Sequence, residues 1–153
     1  MRLRRLLAAL AVITALVGPA LLPAPAEAAG SVTVTSTIVG NGVVRYDIAW
    51  TSSAGGAVSS NSLSLIRGYL VQAQAVPGSG GTQPTDLYDL ELENTNAVDL
   101  LDAEGANQSQ TTAEFFQFHP APYHDGVASL DLVIANAGNA KTGTFSLWIR
   151  GQP

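Results

Sequence analysis

Two histidines lie close together in the last third of the chain, with a carboxylate beside the second one. His119 and His124 flank residues 120–123, and Asp125 follows. Imidazole and carboxylate groups are both zinc ligands. However, a separation of five residues matches no helix or turn motif that directs two rings at one ion, and the chain has no third histidine. The pattern therefore favours two loop histidines in a proline-containing turn over a metal site.

Three carboxylates form the second candidate group. Asp89, Glu91 and Glu93 alternate with apolar residues, so on a strand they share one face, about 7 Å apart. Calcium prefers a cage of oxygen ligands, but an extended strand spreads its side chains and no D-x-D-x-D-G loop is present. Carboxylate pairs also serve glycosidases, although any acidic β-protein contains such pairs. The stripe is predicted to be a solvated face.

Nucleophilic catalysis lacks its usual groups in this sequence. There is no cysteine and no Gly-x-Ser-x-Gly motif, and two histidines leave little choice of base for a triad. The glycine-rich segment 78–81 has no predicted helix after it, which a phosphate-binding loop requires. We therefore predict that the protein is not an enzyme and that it uses no metal and no cofactor.

Aromatic residues offer a different kind of site. Trp50 is in phase with Tyr46 and Ile48, which predicts that it points into a core. Trp148 is out of phase with its apolar neighbours, so it is expected on an outer face, near the end of an edge strand. The residues predicted to contact a partner or ligand are Trp148, Tyr123, His119 and His124. A sugar-stacking platform is the alternative role of the aromatic set, which comprises Trp50, Trp148, Tyr46, Tyr69 and Tyr88.

The N-terminus reads as a targeting segment. A basic start is followed by an apolar run over residues 6–22 and then by Ala26 and Ala28 in the A-x-A pattern that signal peptidase recognises. The run is broken by Gly18 and Pro19, so it is short for a stable membrane span. We predict a signal peptide or hydrophobic leader over residues 1–28 and one domain over residues 29–153.

Charge excludes two classes of partner. Loss of the leader removes three arginines and Glu27, so the formal net charge of −5 becomes −7. Four scattered cations on an anionic surface cannot neutralise a run of phosphates, which argues against nucleic acid and against anionic lipid beyond the leader.

The elements that must position these residues are β-strands. Alternating β-branched residues precede the turn Gly40-Asn41-Gly42, which is typical of a hairpin. Further strands are predicted over residues 44–50, 63–66, 68–76, 87–93, 114–118, 127–134 and 142–150, with a loop over 51–61 and a single helical turn within 103–110. No sustained helical period follows Gly30. The fold class is therefore all-β, an antiparallel β-sandwich of jelly-roll-like or Ig-like type with seven to nine short strands.

Several segments, taken in order, resemble small virion-associated structural proteins of tailed bacteriophages. They are residues 32–46, 50–52, 76–77, 80–89, 99–101, 105–107 and 135–143. The resemblance implies a β-sandwich that packs on a capsid, tail or fibre, and it carries over no catalytic residue. The leader is a departure, because such virion proteins normally lack one.

Three functions follow from these observations. The first is a non-catalytic structural or adhesion module that binds protein subunits, by self-association or in a larger assembly, because edges rich in Thr and Val need a covering partner. The second is a secreted module that binds carbohydrate or another surface ligand. The third is a small secreted hydrolase that uses scattered carboxylates. The expected location is extracellular if the leader is cleaved, and otherwise the virion.

Overall fold

The computed structural model describes residues 30–118, 122–125 and 129–151, with the backbone alone for residues 59–62 and 123. Within these ranges the protein is all-β, as predicted, and its one helical element is a 3₁₀ turn at Gly80–Thr82. The predicted leader and His119 lie outside the described residues. The strands are β1 (Ser31–Gly40), β2 (Val43–Thr51), β3 (Val58–Leu63), β4 (Gly68–Pro77), β5 (Asp89–Glu93), β6 (Glu114–Gln117), β7 (Tyr123–His124), β8 (Leu130–Ala135) and β9 (Thr142–Gly151).

The strands form two antiparallel sheets of unequal size. The larger sheet has the order β1-β2-β9-β4-β6, and β7 pairs with β4 on the same side as β6. The smaller sheet has the order β3-β8-β5. None of the helical structure in the described ranges is long and apolar enough to span a membrane.

The hairpin that opens the domain confirms the prediction from its sequence. Asn41 and Gly42 have φ angles of 51° and 72°, and Gly40 has a φ of 117°. Such left-handed conformations are costly for most side chains but accessible to Gly and Asn. The turn sets the register in which Val34 lies opposite Ile48 and Ser36 opposite Tyr46.

One hydrophobic core is shared by the inner faces of both sheets. On the larger sheet, alternate residues of β2 and β9 are buried, among them Ile48, Trp50 and Leu147. The rings of Trp50 and Tyr88 lie 5.8 Å apart between centroids, so the central strands of the larger sheet contact the segment that leads into β5. Burial raises the pKa of the Tyr88 hydroxyl to about 12, with a further contribution from Glu114.

Three of the predicted elements are wrong. Of the strand expected over residues 63–66, only Leu63 belongs to a strand. The expected loop over residues 51–61 contains the start of β3, whose Val58 pairs with Ile134 and whose Leu63 pairs with Leu130. The Ser- and Asn-rich sequence of β3 has low strand propensity, so its pairing with β8 is what makes it extended. The expected helical turn within 103–110 is a series of tight turns instead, because Asp102, Ala103 and Asn107 adopt positive φ.

Candidate functional site: the outer face and free edge of the larger sheet

The outer face of the larger sheet carries Trp148 on its central strand. Trp148 is half-buried, and it lies opposite Arg45 of β2 on one side and opposite Gln72 of β4 on the other. The outward orientation predicted for this residue is confirmed. The expected position near the end of an edge strand is wrong, because β9 is paired on both sides along nearly its whole length.

An ion pair holds Arg45 in place beside this ring. Its Nη2 and Nε atoms lie 2.8 and 2.9 Å from Oδ2 of Asp47. The other carboxylate oxygen of Asp47 accepts a 2.6 Å hydrogen bond from the hydroxyl of Ser146. Both oxygens of the Asp47 carboxylate therefore bind neighbours on the same face. These contacts hold the polar groups beside Trp148 in place.

Two further aromatic side chains are exposed on the same face. Tyr69 lies on β4 opposite Arg150 and is 42% exposed, while Phe115 lies on β6 opposite Gln74 and is 60% exposed. Their inward neighbours Leu70 and Phe116 are buried, so the alternation of each strand places the two rings outward. The face thus combines flat apolar rings with amide and hydroxyl groups.

One edge of the same sheet is the strand β1, and the opposite edge is formed by β6 and β7. Nine of its ten residues are exposed, and Ile38 is exposed over 82% of its surface. Among the described strands β1 is hydrogen-bonded only to β2, and its sequence contains no charged residue and no proline. Charges, prolines and bulges are the devices that protect edge strands from pairing with other chains; β1 has only one irregularity, between Ile38 and Gly40.

The smaller sheet presents a contrasting edge. Its terminal strand β5 points Asp89, Glu91 and Glu93 outward while Leu90 and Leu92 are buried, as predicted. Partial burial raises the pKa of the Glu91 carboxyl, and the neighbouring carboxylates, Asp99 foremost, raise it further. The segment after β5 also covers this edge, because the N–H of Leu90 donates to the Gly105 carbonyl and the N–H of Leu100 donates to the Leu92 carbonyl. The strand β1 has neither the charges nor such a cover.

His124 belongs to the packing and not to the surface. It is 4% exposed and lies in β7 opposite Gly68. Burial lowers the pKa of its imidazole, although the Asp125 carboxylate and a hydrogen bond with the Leu65 backbone act in the opposite direction. Tyr123 also belongs to the predicted contact set. Its backbone pairs with that of Tyr69.

The carboxylates after β5 shape a turn. A cleft of about 470 Å³ is lined by Asp99, Asp102 and Glu104 together with apolar residues that include Phe116. Oδ1 of Asp99 accepts the backbone N–H groups of Leu92 and Leu101, and its Oδ2 accepts that of Ala103. This carboxylate is thus occupied in holding the backbone.

In the described part of the chain, no group of three or more His, Asp or Glu side chains is placed to hold a metal ion.

Sequence reasoning missed the partners of Trp148. The alternation of β2 indicated that Arg45 and Asp47 point away from the core, but nothing in the chain indicated that β9 would insert beside them. Gln72 and Ser146 gave no signal, because their roles depend on strand order alone.

Comparisons with protein-family models, with curated proteins and with solved structures found no match to this chain.

Proposed function

We propose that this chain is a non-catalytic structural or adhesion module, a β-sandwich of jelly-roll-like or Ig-like type that assembles with other protein subunits. The observation that carries the proposal is that β1 is an exposed edge strand without charges, whereas the edge strand β5 of the smaller sheet is charged and hydrogen-bonded to the segment that follows it. The resemblance to virion-associated proteins of tailed bacteriophages supports the same class of function, since such proteins act by packing on other subunits.

The partner that β1 fits is a second copy of itself. Antiparallel pairing about a twofold axis through Thr35 uses residues 32–38, within the regular part of the strand from Ser31 to Ile38. In that register Val32 lies opposite Ile38 of the partner copy and Thr33 opposite the partner's Thr37. Apolar and β-branched cross-strand pairs stabilise a sheet, and the pairing joins the two larger sheets into one continuous sheet.

The register allows a decisive test by charge reversal. Thr35→Lys and Thr35→Glu each place two like charges opposite each other, so each variant is expected to be monomeric. A mixture of the two places lysine opposite glutamate, and the dimer is expected to return. Val98→Lys, an exposed apolar residue on a loop beside the smaller sheet, makes the same charge change away from β1 and should remain dimeric.

Light scattering coupled to size-exclusion chromatography reads out these four samples and the wild-type protein. A wild-type protein that stays monomeric at a concentration of about 1 mM contradicts the proposal, since its Kd would then be weaker than any functional pairing. Dimers that persist unchanged in both Thr35 variants contradict the β1 interface.

The location of the protein follows from its leader. We propose that the leader is removed and the module exported. Cleavage after Ala28 leaves two residues before β1 begins at Ser31, so the whole folded domain survives. Mass spectrometry of the natural protein's N-terminus tests this. A start at Ala29 supports export, whereas an intact Met1 supports assembly in a virion.

A further inference from the structure

We propose that the outer face of the larger sheet is a saccharide-binding site, with Trp148 as its stacking residue and a neutral, linear, β-1,4-linked pyranose polymer as its ligand. The proposal does not require the β1 dimer, because the face spans β2, β9, β4 and β6 as well as β1.

The register provides a track that crosses the strands. Five residues lie side by side across the five strands, and we call them the row of Trp148. Trp148 is at the centre between Arg45 and Gln72, and Thr37 and Gln117 are at the two ends. Five strands separated by about 4.8 Å give the row a length of about 19 Å. That length accommodates several sugar rings in line, with the indole at the centre.

The chemistry of this row matches a sugar ring. An aromatic face carries partial negative charge, and a pyranose whose hydroxyl groups are all equatorial presents polarised axial C–H groups to it. The amides of Gln72 and Gln117 each supply donors and an acceptor, and Thr37 supplies a hydroxyl, which are the groups that bind sugar hydroxyls. Ligand sites combine apolar rings with a few such polar groups.

The row of Trp148 presents no unpaired charge, which favours a neutral ligand. Its one charged side chain, Arg45, is paired with Asp47, whose other oxygen is bound by Ser146. The exposed Arg150 lies one row away, opposite Tyr69. The strongly acidic stripe of the protein, Asp89 to Glu93, lies on the other sheet.

Two more rings lie near Trp148. Tyr69 lies one strand from Trp148 and one row along, and Phe115 lies two strands away and one row along in the opposite direction. Both are exposed on the same face. Both rings lie on the β4 side of Trp148 and in the two adjacent rows, so they widen the apolar surface beside the row and add no stacking position along it.

Calorimetric titration of the full chain tests the site with cellohexaose, chitohexaose and xylohexaose, and sedimentation tests it with insoluble cellulose, chitin and xylan. At least one of these saccharides is expected to bind with a Kd below about 1 mM. Affinity should not change with salt, since the ligand is neutral. Trp148→Ala should weaken binding at least tenfold and Gln72→Ala severalfold, whereas the control Val98→Ala should bind as the wild type does.

A second readout covers the case in which Trp148→Ala fails to fold. Trp50 is buried, so quenching by acrylamide reports mainly on Trp148, and a bound saccharide is expected to protect it. Trp148→Ala also separates the two proposals, because it should weaken saccharide binding and leave the β1 dimer intact.

Three results overturn the proposal. The first is that none of the named saccharides binds. The second is binding that Trp148→Ala leaves unchanged in a folded protein. The third is an oligomer that forms without saccharide and that Trp148→Ala dissociates, because this outcome would assign the face to protein contact.

Discussion

The hydroxyl of Ser146 donates a 2.6 Å hydrogen bond to Oδ1 of Asp47, from the central strand of the larger sheet to its neighbour β2. Ser146 is 5% exposed although it lies on the outer face, so neighbouring side chains on that face cover it. Because Asp47 also holds Arg45, this one bond links the central strand to the guanidinium beside Trp148.

Removal of this hydroxyl should destabilise the protein. Ser146→Ala deletes a hydrogen bond to a charged acceptor that keeps its second partner, and the expected loss is about 1–2 kcal/mol in the free energy of unfolding. Urea unfolding measures it. Thr144→Ala, at the preceding outward position of the same strand, should change stability by less than about 0.5 kcal/mol. Equal losses in the two variants would contradict the role assigned to Ser146.

Gly143 is required where β9 passes the indole of Trp50. The two residues are direct cross-strand partners, and a Cβ on Gly143 would lie 2.6 Å from Cε2 and 2.9 Å from Nε1 of that ring. Gly143→Ala should therefore cost about 1–3 kcal/mol, the usual penalty for overpacking. Gly81→Ala is the matched control, because a Cβ there meets no atom within 4 Å. Thermal unfolding of the two variants distinguishes a clash at Gly143 from the effect of replacing any glycine by alanine. A Gly143→Ala protein as stable as the wild type would refute the packing described.

Mild acid should weaken the fold through His124. Burial lowers the pKa of this imidazole in the folded protein, below its value of about 6.5 in an unfolded chain. The unfolded state therefore binds the proton more readily, and stability is lost as the pH falls through about 6.5 towards the folded pKa. His124→Gln should flatten the stability curve between pH 7.5 and 5.5. His119→Gln serves as the control, and a wild-type slope in His124→Gln would show that another group is responsible.

Glu91 should have the opposite effect. Its raised pKa means that the fold favours the protonated form, so its charge destabilises the protein at neutral pH and this effect disappears in acid. Glu91→Gln is expected to raise the urea midpoint at pH 7 and to leave it unchanged near pH 3. Glu104→Gln removes the same charge from a loop outside the stripe. A midpoint that falls in Glu91→Gln would exclude the repulsion among these carboxylates.

The parts of the fold that local chemistry determines were predictable. The hairpin at Asn41 and Gly42 follows from residues that tolerate positive φ, and the alternation of β5 follows from its carboxylates. Other turns gave no such signal. Leu87 has a φ of 62° and Ala103 one of 64°, conformations that neither side chain favours, so the surrounding structure imposes them.

The candidate site, like the fold, could be predicted from the sequence only in part. The outward orientation of Trp148 could be read from its phase against Phe145 and Leu147, because alternation is a property of one strand. Its central position could not, since it depends on β9 pairing with β2 and β4, which are far apart in sequence. The same dependence hid β3 and β7, two strands that their partners define.

The position of β9 also constrains the order of events during synthesis. The strand separates the β1–β2 hairpin from β4, and it is made after all the other described strands. The larger sheet therefore cannot close while the ribosome is still making the earlier strands, and its two halves must wait for β9 before they join. Such long-range pairing also makes folding slow. The larger sheet is thus completed only after β9 has left the ribosome.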